Sequence, residues 1–485
     1  MIDELRNKYI DVIAKQFPSR AILWGKNNYN LGDFSKHQLE NYITSLNELI
    51  CKIDSIENTE CINEKVSLKR AILYRKFEIE TLALWKTKPQ FYAANALKGI
   101  SIHWRNLEAI EHGYFDQVAV KEKLNQLSSF FNIALSNLSD GMVSKLDILL
   151  AVNLIKTEWN SIIKKAHLIG LRDNEINYLN KVVQKFIVDL KNLNNGNNQP
   201  FLIPLGREKF ERLLYLESGL KVSSESLLED VKTNIKENHY IFSNPREKAI
   251  GVEFNDLFDK NTITKLEEYF GELLNCGDLK ICKTNIFSNV KGFHYIKSYN
   301  LSSKEPKGIA FCPYGQKITD RQVLGIVHET YPGHHFSYCV QFKKNRLASI
   351  LYHNSIFEEG WAKFAEEKYV QIRPELRLEH AFYNSFRKMV VLAFAALKIH
   401  AFETEINKVI HEISKIFNYD ISTAKSICIQ AYDDPIQAIS YFLGYNYVKW
   451  QVSKCNKKID LFIKEMIEEH DYNMEGLSYD EIRRV

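Results

Sequence analysis

Apolar residues recur at steps of three and four along most of the chain. Leu39, Tyr42, Ile43, Leu46, Leu49, Ile50 and Ile53 make one such series, and Leu124, Leu127, Phe131, Leu135 and Leu138 another. That spacing lines one side of a helix with hydrophobes and leaves the other side to water. The same period returns around residues 65–85, 142–168, 174–193, 223–236, 262–274, 320–345, 355–371, 378–413 and 455–469. It predicts helix over well above half the chain, and therefore a mainly α fold. Strand signals fall in one window. Phe293, Tyr295 and Ile296 form one β-prone run, and Ile309, Ala310 and Phe311 another, ending at Cys312-Pro313-Tyr314-Gly315. The stretch between them, Asn300 to Lys307, is polar and holds Pro306. The pattern predicts a β-hairpin placed directly before a helix. Asn194 to Asn198, followed by Pro200, mark a loop near the middle, and Gly206 opens a new helical stretch.

Composition narrows this picture. The chain has 485 residues with only 20 Gly and 10 Pro, too few for a turn-dense all-β design. Its 45% hydrophobic content is that of a globular protein. The length suits one large body over residues 1–485, with two lobes, a helical one at about 1–198 and one carrying the chemistry at about 199–485. Sixty-four Lys and Arg against 60 Asp and Glu leave a net charge of +4, interspersed and without a basic block, so no nucleic-acid partner is expected. The longest strongly apolar run, Met389 to Leu397, is far short of the ~20 residues of a membrane span. The first residues, MIDELRNKYIDVIAKQF, are charged and helical in pattern, without a signal core. The 8 Cys are scattered without a CxxC pair, which disfavours a zinc ribbon or a thioredoxin site. A reduced, cytoplasmic setting with no membrane partner is the expectation.

Three of the 14 His fall within His328-Glu329-Thr330-Tyr331-Pro332-Gly333-His334-His335, after the apolar series Val323, Leu324, Ile326 and Val327. A His followed by Glu, with more His one to two turns on, follows the logic of a zinc hydrolase helix: imidazoles hold the metal and the carboxylate takes a proton from water. The spacing departs from HExxH, because the fourth position after His328 is Pro332, which cannot ligate. In an unbroken helix, residues six apart point ~120° apart and lie ~9 Å apart along the axis, and residues seven apart lie ~10.5 Å apart. Neither pair can share one ion. Either the segment is not a metal site, or the helix is disrupted at Pro332-Gly333, where a Pro-Gly pair makes disruption natural. A two-residue bulge would bring His334 to the place of the second HExxH histidine. Glu359, 25 residues beyond His334 and opening a helical stretch, supplies a third ligand. Glu366, seven residues later on the same face, is placed to orient a ligating His.

With these residues in hand, the sequence resembles a known family. His328 to His335 resembles the HExxPGHH signature of the bacterial family catalogued as domain of unknown function 885. Glu359-Gly360-Trp361-Ala362 resembles its EGWA segment, and Tyr432 to Gly444 its Y-x-x-P-G-Q-A-x-S-Y-x-x-G segment. Ala21 to Gly25 and Tyr29 to Ser35 are similar to its opening block, and Trp85 to Tyr92 to its W-x-x-N-P-x-x-Y block. The resemblance runs in order along nearly the whole chain. It implies a helical, zincin-like metallopeptidase fold with a deep cleft and a small sheet beside the metal helix, similar to thimet oligopeptidase, angiotensin-converting enzyme and Taq-type carboxypeptidase. Dipeptidyl peptidase III offers a precedent for a lengthened metal helix. The family often has Tyr for the second His of the pair, which favours His334 over His335 as ligand. The chain also departs from the family pattern: Ala431 stands where the family has Arg, Ile436 where it has Gly, and only His400 survives of an Asp-x-Gly-x-His segment.

The expected constellation is then a Zn²⁺ ion held by His328, His334 and Glu359, with Glu329 as general base. Tyr441 is a candidate donor to the oxyanion and His400 a candidate contact for substrate. The strand Ile309–Phe311 is a candidate for pairing with an extended peptide by edge addition. The expected activity is zinc-dependent hydrolysis of peptide or amide bonds in small peptides. The losses at Ala431 and Ile436 leave two rivals: a specialised amide hydrolase acting on a modified amino-acid metabolite, and a catalytically degenerate zincin-like binding protein.

Overall fold

The computed structural model describes residues 2–26, 29–57, 62–193, 199–237, 250, 253–272, 277–282, 293–313 and 318–483. The loop expected at Asn194 to Asn198, and Tyr314-Gly315 after the second expected strand, lie outside the described residues. Among the described residues the fold is mainly α with one small sheet. It divides into two compact units, the first built from residues 1–203 with 286–289 and 298–303, the second from 204–285, 290–297 and 304–485.

In the first unit, helices Ile2–Gln16, Lys36–Asp54 and Ile62–Glu80 pack their apolar faces together. Farther on, Leu127–Ser139, Lys145–Ile163 and Asp173–Asn192 do the same. Aromatic rings fill the space between. Phe34 meets Phe91, Tyr92 and Phe130 edge-on, and Phe131 stacks on Phe186 at 4.0 Å. Edge-to-face pairs of this kind add to what burial alone supplies. The Trp85–Tyr92 block belongs to this core. The fully buried Tyr92 donates its hydroxyl to the Trp85 carbonyl at 2.6 Å and accepts from Asn137 at 2.8 Å.

In the second unit, the sheet has three strands in the order β1-β3-β2. β1 is Asp278–Cys282, β2 His294–Lys297 and β3 Lys307–Phe311. β2 and β3 form the expected antiparallel pair, with Tyr295 opposite Ala310. β1 is an addition to the expected hairpin. It pairs parallel to β3, Lys280 opposite Ile309, and is too short and too polar to announce itself. Its presence overturns the edge-addition expectation: Ile309–Phe311 lie on the central strand, with hydrogen-bonding neighbours on both sides.

The long helix expected over 320–345 is two helices, Asp320–Glu329 and His334–Lys344, separated by residues 330–333. A capping box starts the first: Thr319 Oγ1 accepts from the Gln322 amide, and the Gln322 side chain accepts from the Thr319 amide. The periodic stretch 378–413 also divides. It forms Glu379–Ala396, a π turn at Leu397–Ala401 and, after a break in which Glu403 has φ 47°, Ile406–Phe417. Two further helices, Ile421–Asp433 and Pro435–Ser453, follow in the same unit. The second of these buries residues all round, so it carries no amphipathic period to read. It crosses the helix Ser355–Ile372 with Gly360 against Gly444, where a Cβ on either residue would overlap the other helix's backbone. That close approach sets the two helices which carry Glu359 and Tyr441 side by side.

Candidate metal centre

The break between the two histidine helices decides the geometry. The helix Asp320–Glu329 stops one residue after His328, and residues 330–333 turn the chain before His334 opens the next helix. Gly333 folds back onto the end of the first helix so closely that a Cβ would overlap the carbonyl oxygens of Val327 and His328. The Tyr331-Pro332 peptide is cis. Trp361 of the EGWA segment, fully buried, locks the turn: its indole N–H donates to Pro332 O at 2.9 Å and to Gly333 O at 3.3 Å. The disruption expected at Pro332-Gly333 is therefore a full interruption of the helix rather than a bulge within it.

The result is convergence. The His328 and His334 rings stand 4.6 Å apart and nearly perpendicular. Glu359 Oε2 lies 3.2 Å from His328 Nε2 and 3.5 Å from His334 Nε2. The three donor atoms all fall within 4.8 Å of one another. Tetrahedral zinc with bonds of about 2.0–2.1 Å requires ligand atoms about 3.3 Å apart. The two carboxylate–imidazole separations bracket that value, and two imidazoles with one carboxylate are an ordinary zinc donor set that leaves a fourth position open. The donor set fits the ion.

His335 turns away. It is fully buried, with Nδ1 2.7 Å from the Tyr295 hydroxyl on β2 and Nε2 3.5 Å from Cys339 Sγ. Burial pushes its pKa down to about 3, so the ring is neutral and ties the sheet to the second histidine helix. Of the two adjacent histidines, His334 is the one that faces His328 and Glu359.

Charges around the cluster are tightly coupled. Burial alone would depress the His328 ring, but hydrogen bonds to Glu359 and to Glu366 outweigh it and lift the pKa to about 10. Burial would raise Glu359, yet the two histidines hold its carboxyl well below the usual range. Glu329 behaves differently. It is 7% exposed, its carboxylate makes no hydrogen bond or ion pair with any described residue, and burial raises its pKa despite the neighbouring imidazoles. A buried carboxylate of raised pKa beside a candidate metal site is suited to accept a proton.

No family model matches the chain, and no curated protein matches it. Solved structures do. A proposed lipoprotein of unknown function from Shewanella oneidensis is 13% identical, with a TM-score of 0.73 over 98% of this chain and 99% of that one. A proposed lipoprotein from Colwellia psychrerythraea is 12% identical, with a TM-score of 0.69 over 100% of this chain and 99% of that one. At such identities the likeness is one of fold.

The Tyr441 ring lies 6.3 Å from that of His328, and its hydroxyl accepts from Gln437 Nε2 at 2.9 Å. Burial, reinforced by the Glu359 carboxylate, holds the phenol well above its usual pKa, so it remains a donor. Gln437 also donates to Glu359 Oε1 at 2.8 Å, fixing the oxygen that does not face the histidines. Sequence reasoning misses Gln437, although it stands one helical turn before Tyr441 and so shares its face. His400 is not brought into this group. Its ring is stacked between Phe210 and Tyr432, Nδ1 accepts from the Leu205 amide at 3.3 Å, and Nε2 lies 3.2 Å from Tyr432 O. Both ring nitrogens are engaged with backbone, as in a structural core histidine. Ala431 and Ile436, the positions that depart from the family pattern, are buried.

Proposed function

We propose that the protein is a zinc-dependent hydrolase that cleaves peptide or amide bonds in small peptides. The observation that carries this reading is the convergence of His328, His334 and Glu359 beside the buried Glu329, whose carboxylate bonds to no described residue. Zinc held there would supply Lewis acidity toward a substrate carbonyl and lower the pKa of a water molecule. The chain's own groups do the rest. Glu359, fixed by Gln437, and His328, fixed by Glu366, are held in orientation before any ligand arrives. Glu329 accepts the proton of the attacking water and returns it to the leaving amine. The Tyr441 hydroxyl donates to the carbonyl oxygen as negative charge develops on it.

Elemental analysis of purified protein tests the metal, with about one zinc per chain expected from a single three-ligand site. Glu329→Gln should keep that zinc and lose turnover on a dipeptide and amide panel by at least about 100-fold. Protein that refuses zinc, or a Glu329→Gln variant as active as the parent, would sink the proposal.

A further inference from the structure

Behind His328 and the Glu366 that holds it lies one more charge, the Lys363 ammonium, which the chemistry above does not use. Glu366 stands two turns beyond Glu359 on the helix Ser355–Ile372, and each of its oxygens has a partner. Oε1 lies 2.8 Å from His328 Nδ1, and Oε2 accepts from Lys363 Nζ at 2.6 Å. Lys363 is one turn before Glu366 and 1% exposed. Its ammonium also donates to Ser385 Oγ on the helix Glu379–Ala396 and sits 4.7 Å from the centre of the Phe382 ring. Sealing an ammonium inside a protein costs several kcal/mol unless it is paired. A methionine would fill much the same space without that cost, so packing alone does not account for a lysine here.

Electrostatics does. Three carboxylates, Glu329, Glu359 and Glu366, act on the His328 ring. A divalent cation and one ammonium balance them; the cation alone leaves an excess negative charge in a space of low dielectric. Geometry points the same way. If Oε2 had no partner, the Glu366 carboxylate could rotate about its last torsion, which is broad and soft, and Oε1 would no longer be aimed at His328. Holding Oε2 fixes Oε1, and Oε1 fixes the tautomer and tilt of the ring, with Nε2 toward His334 and Glu359.

We propose that Lys363 is a positioning residue of the metal centre, acting through Glu366 to orient His328. The inference rests on the zinc reading above and names a residue which that reading does not need. The test is zinc affinity rather than activity. Chelator-stripped protein is titrated with zinc against a chromophoric competitor, and the cobalt(II)-loaded form is followed by its visible spectrum. Lys363→Met should weaken zinc binding by about 10- to 100-fold and shift the cobalt bands, as loss of an outer partner of a ligand does. Lys363→Arg, which keeps the charge, should recover most of the affinity. In a Glu366→Gln background, Lys363→Met should add no further loss. A Lys363→Met protein that melts earlier but binds zinc like the parent would overturn the proposal. So would a full additional loss in the Glu366→Gln background. If Lys363→Met does not fold, Ser385→Ala removes the other anchor of the ammonium: a weaker shift in the same direction is expected, and unchanged affinity overturns the proposal. A parent protein that binds no zinc refutes the metal reading itself, a result separate from any of these.

Discussion

Gly333→Ala tests the feature on which the proposed metal centre depends. In the structure a Cβ at this position falls short of ordinary contact distance from His328 O by more than about 1 Å, and from Val327 O by about as much. Both are backbone atoms in the last turn of a helix, so no side chain can swing aside to relieve the overlap. The chain must move instead, and His334, the next residue, moves with it. Zinc bonds tolerate about 0.2 Å of displacement, several times less than the shift required. His334 would therefore leave the coordination sphere while His328 and Glu359 stay. The loss should exceed the roughly 10- to 100-fold seen when only an outer partner is removed, so a fall in zinc affinity of at least about 100-fold is expected. The overlap should also destabilise the metal-free protein by about 1–3 kcal/mol, the usual range for overpacking. Competitive zinc titration measures the first effect and thermal melting of stripped protein the second. Near-native melting with parental zinc affinity would refute the reasoning, because it would show that the turn accepts a Cβ without moving His334.

Other substitutions probe separate parts of the molecule. Tyr441→Phe should leave zinc content unchanged and lower kcat by about 100- to 1,000-fold on any substrate the parent cleaves, the range for loss of one oxyanion donor; steady-state kinetics with metal analysis reads both. Gly444→Ala should lower the melting temperature through at least about 1–3 kcal/mol of overpacking, since its Cβ would overlap Ile356 O at the crossing with the Glu359 helix. Lys123, 1% exposed in the first unit, has its pKa lowered from 10.5 to about 8 by burial, with one long 3.4 Å hydrogen bond to Gly99 O. The unfolded chain therefore binds the extra proton between pH 10.5 and 8, and stability should fall as pH drops through that window, by up to about 3 kcal/mol at 1.36 kcal/mol per unit. Lys123→Met should raise stability at pH 7 by about 1–3 kcal/mol and flatten that stretch of the profile in denaturant titrations; an unchanged profile would mean the lysine reaches water.

The sequence carries the elements that have one buried face and hides those that have none or two. Lys36–Asp54 and Leu127–Ser139 each present a single apolar stripe, and both are legible from spacing. Pro435–Ser453 is buried on nearly every side, so the helix that supplies Tyr441 and Gln437 shows no period. β1 fails for the opposite reason: among the described residues it pairs with β3 alone, its burial is partial, and five residues leave little pattern. The site divides along a similar line. His328, Glu329, His334 and Glu359 are readable because chemistry restricts which residues can ligate or take a proton, and because Pro332-Gly333 announces a break. The break's extent is not readable, since it depends on Trp361, 28 residues beyond Gly333, donating to the turn's carbonyls. Lys363 is hidden for a related reason: a lysine on a helix is ordinarily solvated, and only the packing of the Ser385 helix over it turns that position into a buried charge. His400 shows the converse. Its residue type suggests chemistry, yet backbone groups engage both its nitrogens, and that engagement is a tertiary fact. Residue type thus points to the atoms that could react. Which of them are free to do so is set by partners distant in sequence, which is why a buried Glu329 that bonds to no described residue carries more weight for the proposed catalysis than any motif that contains it.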